Sequence, residues 1–432
     1  MKFCQSLKPI FISLSPNTEK DDTLLASRLI FKPWKWKSGP AIKRLEEEVK
    51  RYLSVKYAFA FNNGRSAFLA ILKSLNLKKE SEVLLQAFTC NAAVNPILWT
   101  ELKPVFVDCN KKTLNIDIND LKKKITPKSR VVIVQHTFGL PAEIEEVLKI
   151  CQENNLILIE DCAHSLGATY QGKGVGLPTE ALAKVGTFGR AAFFSFGRDK
   201  IISSVHGGMA VTNDSFLAQG IKEFQQKINY PSCSWILQQI LHPVLMNLLI
   251  LPAYNFLNLG KAILFVLQSF HVLSRASLVK EKQGKKPSYL PKRLPNVLAV
   301  LALNQFKKLE RFNQHRQKIA EFFDENLKDL KIVLPQNLTG RIYMKYSILL
   351  EGGSVNTDEV LKRAQRKNIF LNNGWRKKPI VPPDTNQIKM SYVLGTCSGA
   401  EKVAKNILNL PTHINISKKD AKRISDFLKN NL

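Results

Sequence analysis

Residues 156–176 read LILIEDCAHSLGATYQGKGVG, and this stretch decides the fold. Four apolar residues, Leu156 to Ile159, run directly into two carboxylates, Glu160 and Asp161, and then into a glycine-punctuated loop. An unbroken apolar run marks a strand buried on both faces, as in a parallel sheet covered by helices. A carboxylate at the end of such a strand is costly unless it meets a cation or a hydrogen-bond donor. It either closes a helix cap or loop salt bridge, or it serves a site, because functional groups in these sheets collect at the strands' carboxyl ends. Gly167, Gly172, Gly174 and Gly176 suit tight turns over a pocket.

Runs of the same kind lie on either side: YAFAF (57–61), VLL (83–85), PVFVD (104–108), VVIVQH (131–136), AAFFSF (191–196) and MAVT (209–212). Amphipathic segments separate them. After Pro40, AIKRLEEEVKRYL places Ile42, Leu45, Val49 and Leu53 on one helical face, and IEEVLKICQENN does so with Ile144, Val147, Leu148 and Cys151. Strands alternating with helices predict a large α/β domain with a mostly parallel sheet over residues 1–228. Residues 297–330 read as one long charged helix. A strand in YMKYSILLE and helices in DEVLKRAQRKN and KKDAKRISDFLKN follow, predicting a smaller C-terminal α+β domain over 291–432. Residues 229–290 form an apolar helical insert with a basic flank.

The chain has 432 residues, 45% of them hydrophobic, which excludes a disordered tail and a disulfide-stapled miniprotein. Its seven cysteines are odd in number and scattered, without CxxC or Cys/His ligand spacing, so no metal site and a reducing, cytoplasmic setting are expected. The first twenty residues hold no sustained apolar core, so no signal peptide is read. The formal net charge of +29 suits nucleic acid, an anionic membrane surface or plain solubility. No zinc finger, RNP-type strand or heptad-linked basic region accompanies it.

Two further clusters carry chemistry. In NNGRSA (62–67) a strand ends in a glycine turn and a helix begins at once, leaving Gly64, Arg65 and Ser66 at its N-terminus. Free N–H groups there make an anion cradle, although a glycine turn before a helix is common. In FFSFGRDKIISSVHGGMAVTND (193–214), Ser195 ends a strand and Lys200 follows in the loop. A partly desolvated lysine there can act as an amine nucleophile, or it is one more solvated cation in a basic chain. Taken together, phosphate cradle, strand-end Asp and loop Lys occur in the order that a pyridoxal 5'-phosphate (PLP) site requires.

The residues carry a resemblance. The chain resembles the DegT/DnrJ/EryC1/StrS family of PLP-dependent sugar aminotransferases, of fold type I. The resemblance runs through SGPAIKRLEEEV, NNGRSAFLAILKSL, PVFVDCNKKTLNID, EDCAHSLGATYQGKGVG, SFGRDK, GGMAVTND and NLPTHINISKKD. It implies that Lys200 forms the Schiff base and carries protons, and that Asp161 pairs with the pyridinium nitrogen. His164 would lie near the cofactor's ring oxygen, and Gly64, Arg65, Ser66 and Ser195 would hold its phosphate. Family members transfer an amino group, usually from glutamate, to a keto group on a nucleotide-linked sugar for surface polysaccharide or glycolipid. They are dimers or higher, with sites at subunit interfaces. Cys90 stands where several members stack an aromatic on the cofactor, PKRLPN (291–296) departs from the family's pattern, and 371–386 matches poorly. A branch that dehydrates sugars lacks the lysine; a non-catalytic, membrane-recruited relative is a second alternative.

Residues 233–274 are apolar, with Lys261 their only charge, and Pro243 and Pro252 interrupt them. They are followed by the basic run from Arg275 to Arg293. A helical hairpin lying in a membrane surface, a hairpin buried between subunits and a membrane span are the three readings.

Overall fold

The structure is a computed structural model and describes residues 8–171, 182–254, 259–275, 277–350 and 356–432. Gly172, Gly174 and Gly176 lie outside the described residues. Seven strands form the central sheet. Their order across it is Tyr57–Phe61, Gly208–Thr212, Ala191–Ser195, Ile157–Asp161, Ser129–Gln135, Glu82–Gln86 and Lys103–Val107. All neighbours run parallel except Gly208–Thr212, which is antiparallel to both of its partners. The sheet is therefore α/β and mostly parallel, as the apolar runs predict.

Strand alternation sorts the core into two layers. Val83, Leu85, Val131, Ile133 and Ile159 face one side, where the helices Ala41–Leu53 and Gly64–Ser74 pack. Leu84, Val132, Val134 and Leu158 face the other, against Ile144, Val147, Ile150 and Cys151 of the helix Ile144–Glu153. Each of these aliphatic side chains that is fully buried contributes about 1.5–3 kcal/mol relative to exposure. The same alternation sends the neighbours Glu160 and Asp161 to opposite faces.

A second core gathers around the antiparallel strands Ile332–Val333, Tyr346–Leu350 and Ile407–Leu410, with helices Thr357–Arg366 and Lys418–Lys429 against it. The expected single helix over 297–330 is two, Asn296–Phe306 and Leu309–Leu327, broken at Lys307 and Lys308. The first buries Val297, Leu298, Leu301 and Ala302 in the large core; the second buries Ile319, Ala320, Phe323 and Leu327 in the smaller one. The break falls where the chain passes from one core to the other.

In the insert, helix Cys233–Leu245 runs on as a π-helical turn, Met246–Ile250, and a second helix spans Leu259–Ser269. The residues 233–250 are long and apolar enough to cross a membrane by length and composition, at mean hydropathy 1.3. Their inner face is nevertheless taken up: Ile236, Ile240 and Met246 are fully buried, and the helix lies against Lys20–Ile30.

Candidate active site

At the end of strand Ile157–Asp161 the two carboxylates have separate fates. Glu160 is wholly buried and accepts backbone N–H bonds from Gly186 (2.6 Å), Phe188 (2.8 Å) and Gly189 (2.7 Å). His136 lies 3.2 Å from its Oε2. The N–H of Ala142 donates to His136 Nδ1, so Nε2 carries the proton toward Glu160. Cys162 is the third member of this cluster, but its thiol is buried and held protonated by that burial and by Glu160. Glu160 is thus a loop anchor. Asp161 faces a cavity of about 250 Å³. Its Oδ1 accepts from the Ala163 N–H at 3.0 Å. Burial pushes its pKa from 3.8 up to about 6, against the pull of that N–H and of Lys200.

The glycine turn forms one wall. Asn63 caps helix Gly64–Ser74, its Oδ1 accepting from the Ser66 N–H at 2.9 Å. The Ser66 hydroxyl donates to Asn62 Oδ1 at 2.7 Å, so Ser66 shapes the turn and does not line the cavity. Gly64 and Arg65 do line it, and their N–H groups lie at the helix's open end. The Arg65 guanidinium is paired with Glu281, which is fully buried, and lies 6.0 Å from the Tyr289 ring. The buried Glu281 carboxylate offsets that charge, so what Arg65 offers the cradle is its backbone N–H. Close approach depends on glycine twice: a Cβ on Gly64 would lie 3.1 Å from Ser195 Cβ, and one on Gly208 would lie 2.3 Å from the Asn63 carbonyl carbon.

Ser195 closes its strand at the same cavity, and the loop after it brings Gly197, Arg198, Asp199 and Lys200 to the wall. Burial raises the pKa of Asp199, but Lys345 and Lys200 outweigh it and hold the carboxyl below the usual range. Lys345 Nζ is 3.6 Å from Asp199. His164 stacks on Phe138 at 5.4 Å and meets Trp375 edge-on at 5.0 Å. Burial, with Lys200 and Lys345 nearby, pushes its pKa well down, so the imidazole is neutral. Cys90, at the start of helix Asn91–Trp99, has its thiol raised by burial and stays protonated.

Seven of the eight residues singled out from sequence therefore meet at one cavity: Gly64, Arg65, Cys90, Asp161, His164, Ser195 and Lys200. Sequence reasoning missed several that join them. Trp375 and Asn373 arrive from the poorly matching 371–386 segment, which is stitched to Cys90 by the parallel pairing of Ile380–Val381 with Thr89–Cys90. The lone Lys345 in an apolar stretch was the one legible signal for that residue. A larger recess of about 800 Å³, lined in part by Glu46, Tyr230 and Arg293, holds none of the eight.

The donor set suits PLP. Asn63 Nδ2, Asn91 Nδ2, Asn373 Nδ2 and His164 Nδ1 are buried at this cavity without a hydrogen-bond partner. Buried polar atoms ordinarily find partners, so these fit a polar occupant. An anionic end would take the amides of the glycine turn, and a protonated ring nitrogen would relieve Asp161.

The family described as DegT/DnrJ/EryC1/StrS aminotransferase matches residues 17–229 and 266–429. GDP-perosamine synthase of Caulobacter vibrioides is 26% identical over 396 residues, covering 90% of either chain. Among solved structures, Helicobacter pylori PseC, an aminotransferase of pseudaminic acid biosynthesis, has a TM-score of 0.73 at 21% identity, covering 98% of this chain and 99% of its own. The E. coli GDP-4-keto-6-deoxy-D-mannose-3-dehydratase with bound hydrated PLP also has a TM-score of 0.73 at 21% identity, covering 97% and 100%. These likenesses extend to the fold.

Proposed function

The chain belongs to the DegT/DnrJ/EryC1/StrS aminotransferase family, and from that premise we propose that it moves an amino group from glutamate to the keto carbon of a nucleotide-linked sugar, for a surface polysaccharide or glycolipid. The family's aminotransferases depend on PLP. The observation that carries the reading is the convergence of Asp161, Lys200 and the Gly64–Arg65 amides on one cavity. The GDP-sugar named for the Caulobacter relative supports a nucleotide-linked substrate.

When bound, PLP supplies an electron sink that lets an amino group leave one carbon and join another. The chain's own groups do the rest. Asp161 holds a proton on the ring nitrogen, and the cost of its burial falls once that cation faces it. Lys200 Nζ takes and returns the proton at the reacting carbon. Gly64, Arg65 and Ser195 hold the phosphate, with the Asn63 amide beside them. Neutral His164, fixed between Phe138 and Trp375, orients the ring. Two copies of the chain would complete the site from either side.

Purified protein is expected to absorb in the visible and to bleach on addition of glutamate. A Lys200→Ala variant that kept full turnover would sink the assignment. The dehydratase neighbour shares the fold, so the products discriminate: an amino-sugar supports transamination, and a deoxy-keto-sugar supports dehydration. Protein that binds PLP but responds to no amino donor would instead be a binding or regulatory relative.

A further inference from the structure

Residues 230–265 fall between the two stretches matched by the family. Within this segment the two insert helices pack on each other. A Cβ on Gly260 would lie 2.3 Å from the Ile250 carbonyl oxygen, so the second helix rides directly on the end of the first. Ile263, Leu264 and Leu267 turn inward onto Met246, Ile250 and Leu273. The opposite side of the second helix carries Leu259, Phe265 and Val266, with Phe270 just beyond it, at 45%, 67%, 47% and 77% exposure. Leu248 and Leu249, at the end of the first helix, are exposed as well. Leu259, Val266 and Phe270 are spaced by seven and four and so share a face, and Phe265 lies on the exposed side next to it.

Lys261 is the only charge in residues 233–274, and its ammonium lies over the Tyr254 and Phe370 rings at 5.4 and 5.3 Å. The run from Arg275 to Arg293 then holds seven basic residues against one acid. That acid, Glu281, is buried against Arg65 and shields none of the others from solvent. Arg275, Lys280, Lys285 and Lys286 are exposed.

We propose that this face seats in the surface of an anionic bilayer, with Leu248, Leu249, Leu259, Phe265, Val266 and Phe270 entering the headgroup region and the basic run meeting acidic lipid. An apolar helix face followed along the chain by exposed lysine and arginine binds in the interface plane through buried area and attraction to anionic headgroups together. Charge decides against a second copy as occupant. Two such faces in contact would bring two cationic runs together, and the exposed acid paired with this run, Asp384, is already taken by Lys282, on a chain at +29. The first helix does not leave the protein to span the bilayer. His242 lies 2.9 Å from the Ser15 hydroxyl, and Ile236, Ile240 and Met246 stay in the cores.

The test uses full-length protein loaded with PLP and sedimented with vesicles of phosphatidylcholine, with and without about a third phosphatidylglycerol. The wild type is expected to sediment with the anionic vesicles and to stay in solution with the neutral ones. The F265D/V266D variant should partition about tenfold more weakly or worse, with visible absorption unchanged. The K285E/K286E variant should lose much of its binding by charge alone. Equal sedimentation of F265D/V266D and wild type would overturn the proposal, because basic charge alone would then explain binding. So would a wild type that ignores anionic vesicles, or a solution dimer that F265D/V266D splits without changing vesicle binding. None of these outcomes depends on which reaction the enzyme performs.

Discussion

Asp161 is the residue whose environment makes the sharpest prediction. Burial outweighs the pull of Lys200 and holds its pKa at about 6 against 3.8 unperturbed, so between those two values the folded apoprotein holds a proton there that the unfolded chain has released. Stability from this group is intact below about pH 4, falls as pH rises from 3.8 to about 6, and stays low above that. The apoprotein of Asp161→Asn should therefore be more stable than wild type at pH 8, by on the order of 3 kcal/mol, with the gap closing toward pH 4. Urea denaturation at the two pH values checks this. The same variant should lose transamination, since the amide cannot hold a proton on a ring nitrogen. A variant with unchanged apoprotein stability at pH 8 would show that Asp161 is already paired within the chain. The residue was legible because a carboxylate ending an apolar strand needs an explanation. Trp375 was not, since what it touches is set by loops that close over long sequence separations, and for Lys345 the only signal was a charge in an apolar stretch.

At the scale of elements, the sheet was legible from apolar runs because both of its faces are covered and alternation gives way to continuous hydrophobicity. The helix break at Lys307–Lys308 was not, because no Gly or Pro marks it and its cause is the change from one core to another. The contact between strand Gly208–Thr212 and the start of helix Gly64–Ser74 carries its own test. In Gly208→Ala the added methyl would meet backbone on both sides, 2.3 Å from the Asn63 carbonyl carbon and 2.4 Å from the Gly64 nitrogen. Neither can yield without moving the cradle. A loss of about 1–3 kcal/mol is expected. PLP titrated into the apoprotein, followed by fluorescence, should bind about tenfold more weakly. Wild-type affinity in this variant would mean that the helix N-terminus is not the anion site.

For the whole molecule, the net charge of +29 favours association with a nucleotide-sugar, whose diphosphate is anionic. Salt shortens the reach of that field, with a Debye length of roughly 10 Å at 0.1 M. Raising ionic strength should therefore lower kcat/KM for the nucleotide-sugar more steeply than for glutamate, the donor proposed above. Steady-state kinetics at about 50 and 300 mM salt separate the two. Equal salt dependence would assign the charge to other work.

The Ser274 hydroxyl accepts from Arg198, in the cavity wall, and donates to Gln239 Oε1 in the first insert helix at 2.8 Å. The Ser274 carbonyl accepts from the same guanidinium at 2.7 Å. The added segment is therefore wired into the catalytic wall. Deleting the hairpin would therefore strip two acceptors from a half-buried guanidinium two residues before Lys200, so the added segment and the loop that carries the lysine rise or fall together.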